Sequence, residues 1–182
     1  MSLDILHRCM GRHGPMHGCR ATAQLLLLGA AAVIGGALLF QYVGGLEPCE
    51  MCLLERWPYY IGIPLLLAAQ LAHRHRGAAL AVFGLASVLF LGSTALAFYH
   101  VGVEQHWFQV PTACTARPSE ANSIEAMREQ LMAMQPVRCD VVQWSLFGIS
   151  LAGWNFIASV ILAGLSLAGL GHAWRLDAPA RA

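Results

Sequence analysis

The stretch Gly77–Val103, GAALAVFGLASVLFLGSTALAFYHVGV, decides the fold. Its 27 residues hold no Asp, Glu, Lys or Arg, and His100 is the one basic interruption. A helix needs about 20 apolar residues to cross a ~30 Å hydrocarbon core. Two other runs also exceed that length. Ala21–Val43 has 23 uncharged residues, and Val141–Trp174 has 34, with His172 near its end. A fourth run, Trp57–Ala72, has 16 residues and contains Pro58 and Pro64. At ~1.5 Å per residue it reaches roughly 24 Å. It crosses only if it extends back to Cys49, which puts Cys49, Cys52 and Arg56 at headgroup level. The expected fold is an all-α integral membrane protein, a bundle of four transmembrane helices within residues 21–174.

Composition agrees. Of 182 residues, 57% are hydrophobic and 12% charged, against about 25% charged in a soluble domain. Disorder is excluded, because it needs low hydrophobicity and high charge. A net charge of +1 with no lysine argues against a nucleic-acid partner and for the lipid bilayer as the chain's surroundings. The first run is a poor signal peptide, since 20 residues precede it and no small-x-small cleavage site follows.

Arginine placement orients the chain. Four crossings put residues 1–20, the 73–77 loop and residues 175–182 on one side, with seven arginines and two acids. Segments 44–56 and 104–140 share the other side, with four arginines and eight acids. Positive charge collects on the cytoplasmic side, so both termini are expected there. Trp57, Tyr59, Tyr60, Trp107, Phe108 and Trp144 cluster at the outer boundaries like an aromatic belt. Within the second outer loop, Ser119 and Asn122 are candidate helix caps, and Ile124, Met127, Leu131 and Met134 share one stripe before Pro136. A short amphipathic surface helix is expected there, on the membrane or packed on the protein.

The six cysteines divide by side. Cys9 and Cys19 belong to the cytoplasmic tail, where His13 and His17 add metal-like spacing but no fold surrounds them. Cys49, Cys52, Cys114 and Cys139 lie outside, where disulfides persist. Cys49-Glu50-Met51-Cys52 is a C-x-x-C, the pattern of a redox pair, half a zinc site or a haem attachment. Leu53 replaces the histidine that haem needs, and the 25-residue gap between Cys114 and Cys139 lacks zinc-knuckle spacing. No resident metal is expected. A purely structural bridge is the other reading, but so small a ring stabilises little, and exposed bridges are the exchanging kind. Redox exchange is therefore favoured.

Arg56, one turn beyond Cys52, favours a thiolate there, or else snorkels at the interface. A disulfide between Cys114 and Cys139 closes an exposed loop that a soluble partner can reach, whereas a bond at the membrane surface can reach a lipid-soluble molecule. Two pairs in those places suggest a relay. No haem, Rossmann or flavin pattern is present to receive two electrons, and a quinone fits. His100, near the outer end of its span, is a candidate donor to a quinone oxygen or is bonded to a neighbour.

These residues resemble a known family. Gln41-Tyr42-Val43, Glu47-Pro48-Cys49-Glu50-Met51-Cys52-Leu53-Leu54-Glu55-Arg56, Phe98-Tyr99-His100 with Pro111-Thr112-Ala113-Cys114, and Val137-Arg138-Cys139-Asp140 before Trp144-Ser145-Leu146-Phe147-Gly148 look like the disulfide bond formation protein B (DsbB) family. The similarity runs over roughly residues 22–170. It implies a multi-pass bacterial inner-membrane oxidoreductase that reoxidises a periplasmic thioredoxin-like dithiol oxidase (DsbA type) and passes the electrons to ubiquinone or menaquinone. It also implies residue roles. The partner attacks Cys114, Cys139 exchanges with Cys49, and Cys52 is freed as a thiolate beside Arg56 for a charge-transfer complex or adduct with quinone, with His100 flanking the ring. A branch serving a dedicated oxidase, or a membrane protein with structural disulfides, is the alternative.

Overall fold

The computed structural model describes residues 15–72, 76–111, 123–125, 128 and 137–177. Helix α1 spans Pro15–Tyr42, α2 Glu50–Leu54, α3 Trp57–Ala72 and α4 Arg76–Glu104. A two-stranded hairpin follows, β1 Ser145–Leu146 and β2 Ile149–Ser150, and then α5, Leu151–Asp177. Among the described residues, three helices are long and apolar enough to cross a membrane, within Cys19–Tyr42, Gly77–Glu104 and Leu151–Trp174. The molecule is mostly helical, as an all-α membrane protein should be.

Local chemistry sets each boundary. Pro15 opens α1, where its missing N–H leaves no helical bond unmade. Gly45, at φ +67°, turns the chain away, and the N–H groups of Val43, Gly44 and Leu46 cover the last carbonyls at Leu39 and Phe40. Helix α3 occupies the 16-residue run found in the sequence. Pro64 inside it cannot donate to the Tyr60 carbonyl. The segment back to Cys49 is a separate turn of helix, α2, broken at Glu55–Arg56. Helix α4 ends in a Schellman turn, with Trp107 N–H on the Gly102 carbonyl at 2.8 Å and His106 N–H on Val103 at 3.0 Å. His106, at φ 59°, takes the left-handed position usually held by glycine.

The expected continuous span from Val141 is corrected at its start. Residues 145–150 form the hairpin, with Phe147 and Gly148 both at positive φ as a two-residue turn of the primed type requires. Ser150 then caps α5, its hydroxyl accepting from Gly153 N–H at 3.0 Å. The helix also reaches back beyond residue 21 at the other end of the chain, so Cys19 is helical and packs against the core. The surface-helix stripe falls almost wholly outside the described residues. Ile124, Glu125 and Arg128 are helical and exposed.

Packing is inverted relative to a soluble bundle. Small residues are buried between helices, among them Ala30, Ala86, Ala97, Ser93, Ser159 and Ser166. Leu28, Leu39, Val88 and Trp174 are 67, 63, 70 and 69% exposed. In lipid, association rests on close backbone approach and interhelical hydrogen bonds, which small and hydroxyl residues permit. Gly169 shows how close: a Cβ there meets the Phe83 ring, whereas one at Gly164 meets nothing. Gly169→Ala is expected to lower stability by about 1–3 kcal/mol through overpacking, and Gly164→Ala to leave it unchanged or raise it. Thermal midpoints in detergent decide this; equal midpoints for the two variants contradict the packing.

Candidate functional site

Polar residues gather at one end of the bundle, where α2, the start of α3, the end of α4 and the start of α5 meet. Pro48 leads the chain into Cys49, which precedes α2 in extended conformation and whose sulfur accepts the Cys52 N–H at 3.2 Å. That turn brings the two sulfurs to 2.6 Å, both free. The two sulfurs are thus in direct contact, within reach of a disulfide.

His100, from α4, faces Cys49. Its Nε2 lies 3.7 Å from the Cys49 sulfur and its Nδ1 lies 2.8 Å from Glu55 Oε1. Both ring nitrogens are therefore engaged within the protein. Glu55 Oε2 accepts from Asn155 Nδ2 at 2.8 Å, and Asn155 Oδ1 accepts from the Tyr59 hydroxyl at 2.7 Å. Tyr59 reaches Ser159 at 2.9 Å, and Ser159 reaches Ser93 at 3.0 Å. A buried polar chain thus runs from the sulfur pair into the bundle. Buried polar groups are costly without partners, and these have them.

Cys49 is held well below the ordinary thiol value, at about 4. The hydrogen bond with the Cys52 thiol is the largest cause; burial opposes it, and the hydrogen bond with His100 adds to it. Cys52 is pushed up, first by its hydrogen bond to Cys49 and then by burial. The sequence points to Cys52 and Arg56 as the activated couple, whereas the sulfur with a basic side-chain partner is Cys49, and that partner is His100. The Arg56 guanidinium is buried and donates from Nη1 to Gln41 Oε1 at 2.6 Å.

A cavity of about 410 Å³ joins these parts. Its apolar wall is the α1 face of Val33, Gly36, Ala37 and Phe40, and its polar end holds Cys49, Cys52, Arg56 and His100. Trp144 closes one side, its ring centroid 4.6 Å from that of Phe40. Cys139 also lines the cavity. It is disulfide-bonded and 1% exposed, and it packs in one cluster with Cys49, Met51 and Val103. Cys114 and Cys9 lie outside the described residues. Five of the six candidate site residues are thus brought to one cavity from three separate stretches of chain.

The sequence gives Glu55 and Gln41 only as part of the family motif, with no role assigned, and Asn155 is not singled out there at all. Their signal was present: Glu55 abuts Arg56, and Asn155 and Gln41 are amides in otherwise apolar runs.

The family model described as Disulfide bond formation protein DsbB matches residues 19–169. A protein named Disulfide bond formation protein B from Azoarcus sp. (strain BH72) is 33% identical over 145 residues, covering 73% of this chain and 82% of that protein. Its namesake from Verminephrobacter eiseniae (strain EF01-2) is 30% identical over 163 residues, covering 86% and 88%. Disulfide bond formation protein B 1 of Pseudomonas aeruginosa (strain PAO1) is 29% identical over 162 residues, covering 84% and 95%. No solved structure matches the chain significantly.

Proposed function

The chain belongs to the disulfide bond formation protein B family, and we propose that it is the inner-membrane oxidoreductase that recharges a periplasmic DsbA-type dithiol oxidase at the expense of a membrane quinone. One observation carries this reading: the C-x-x-C sulfurs and Cys139 of the distant second loop line the same largely apolar cavity. A relay needs that meeting, because thiol–disulfide exchange happens only at contact.

In this reading α3 is the fourth crossing, with α2 and Arg56 at headgroup level. Residues 1–20, 73–77 and 175–182 are cytoplasmic, and segments 44–56 and 104–140 are periplasmic. The partner's thiolate attacks Cys114 of a Cys114–Cys139 disulfide, forming a mixed disulfide and releasing Cys139. Cys139 attacks Cys49 of the Cys49–Cys52 disulfide, and Cys52 leaves as a thiolate in the cavity that Arg56 lines. The Cys49–Cys52 and Cys114–Cys139 bonds then re-form, and the partner departs oxidised. When bound, a quinone supplies the two-electron, two-proton acceptor. The balance is two protein thiols plus quinone giving one disulfide plus quinol.

The residues fit such a molecule. The cavity volume falls in the roughly 300–1,000 Å³ range of small-molecule sites, and a few polar groups stand at one end of an apolar wall. Because His100 has both nitrogens engaged, Arg56 with Gln41 is the better donor toward a quinone oxygen, and His100 serves Cys49.

Two tests follow from this assignment. Arg56→Ala is expected to raise the KM for quinone about tenfold or more, the worth of a charged hydrogen bond, while changing the KM for the reduced partner by less than about twofold. The reverse pattern makes Arg56 a structural anchor. Topology is read by labelling reduced, intact spheroplasts with a membrane-impermeant maleimide. Cys49, Cys52, Cys114 and Cys139 are expected to react from outside after local opening, and Cys9 and Cys19 only after lysis. Outside labelling of Cys9 overturns the orientation.

A further inference from the structure

Three soft donor atoms meet in the cavity: the Cys49 sulfur, the Cys52 sulfur and His100 Nε2, all within 4.8 Å of one another. Behind the histidine, Glu55 holds Nδ1 at 2.8 Å and is itself held by Asn155. A carboxylate on the far nitrogen of a histidine is the arrangement that orients metal-bound imidazoles and raises their basicity. The Cys52 backbone N–H already points at the Cys49 sulfur, an acceptor bond that suits a thiolate. The fourth side of the trio opens on the cavity, where a water could complete a tetrahedron.

We propose that the reduced site is a binding site for a thiophilic divalent cation of the zinc class, which competes with electron transfer. The proposal rests on the reading that Cys49 and Cys52 pass through a dithiol state. Binding forms two metal–sulfur bonds and one metal–nitrogen bond and releases whatever protons the two sulfurs still carry, that of Cys52 above all; no electron moves. Tetrahedral geometry with metal–sulfur bonds of ~2.3 Å and metal–nitrogen bonds of ~2.0 Å asks for about 3.5 Å between sulfur and nitrogen and about 3.8 Å between sulfurs. Cys49 and His100 already stand at 3.7 Å. The sulfur pair must open from 2.6 Å, a swing of about 1 Å. A metal-held dithiolate cannot close to a disulfide, so the cation silences the site until it is removed.

The test uses full-length protein with Cys9, Cys19, Cys114 and Cys139 replaced by serine, reduced, freed of quinone and reductant, and titrated anaerobically with cobalt(II) alone. The expected result is one equivalent bound, with intense visible bands typical of tetrahedral cobalt and thiolate charge-transfer absorption. Zinc should displace the cobalt and bleach both. His100→Ala should weaken binding at least tenfold, and Glu55→Gln by about 10–100-fold. If His100→Ala does not fold, the cobalt spectrum and the Glu55→Gln titration still decide. Absent tetrahedral bands, or a Glu55→Gln affinity equal to the parent's, overturn the proposal. Quinone reduction by the unsubstituted protein is scored separately. Failed cobalt binding with intact turnover sinks only the metal site, whereas tetrahedral cobalt without turnover sinks only the redox reading.

Discussion

Cys52→Ser is expected to abolish quinone reduction, by at least roughly a thousandfold, the scale seen when a reaction's own nucleophile is removed. The loss is chemical rather than structural. Serine keeps nearly the same shape, and the backbone N–H at that position still caps the Cys49 sulfur at 3.2 Å. What disappears, in the proposed relay, is the Cys49–Cys52 bond that takes electrons from Cys139 beside the apolar wall. Without a second sulfur 2.6 Å from the first, no disulfide forms at that place and no thiolate is released into the cavity. The measurement is the quinone absorbance with reduced partner in excess, alongside the thermal midpoint in detergent. An unchanged midpoint with lost turnover is the expected pair of results. Normal turnover moves the electron exit to another sulfur.

Cys114→Ala is expected to be as severe, for a different reason. In the proposed relay it removes the sulfur that the partner attacks, so no mixed disulfide should form and the partner should stay reduced, with turnover again falling at least roughly a thousandfold. The two variants separate in their remaining reactivity. Small, membrane-permeant dithiols should still reduce the Cys49–Cys52 pair in Cys114→Ala and drive quinone reduction, because the inner pair is intact. In Cys52→Ser they should not. A covalent complex with the partner that survives in Cys114→Ala assigns the docking sulfur elsewhere.

The long spans were legible because lipid imposes an unmistakable constraint: Gly77–Val103 has nowhere else to go. The 16-residue run Trp57–Ala72 coincides with α3, because Arg56 before it and His73-Arg74 after it mark where the apolar sequence stops. The hairpin before α5 was not legible. Its turn, Phe147-Gly148, lacks the Asn-Gly or Asp-Gly pair that normally announces one, and its residues are as apolar as the span that follows. At the site, residue identity was readable and pairing was not. Cys49, Cys52, Arg56, His100 and Cys139 all line the cavity, yet sequence spacing assigned Arg56 to Cys52, because i to i+4 neighbours are the only contacts spacing reveals. The His100–Cys49 contact joins residues 51 apart, and the Glu55–Asn155 bond joins residues 100 apart. Only the packing of α4 and α5 against the α2–α3 turn creates them.

The coupling of sulfur chemistry to a lipid-soluble oxidant is tested most directly by stoichiometry. Purified protein, excess reduced partner and a ubiquinone analogue are mixed anaerobically, and quinone absorbance and free thiols are followed together. One quinone should vanish for every two thiols lost, at a rate proportional to the protein added. Quinone absorbance that stays level, whether the thiols persist or disappear, contradicts the account.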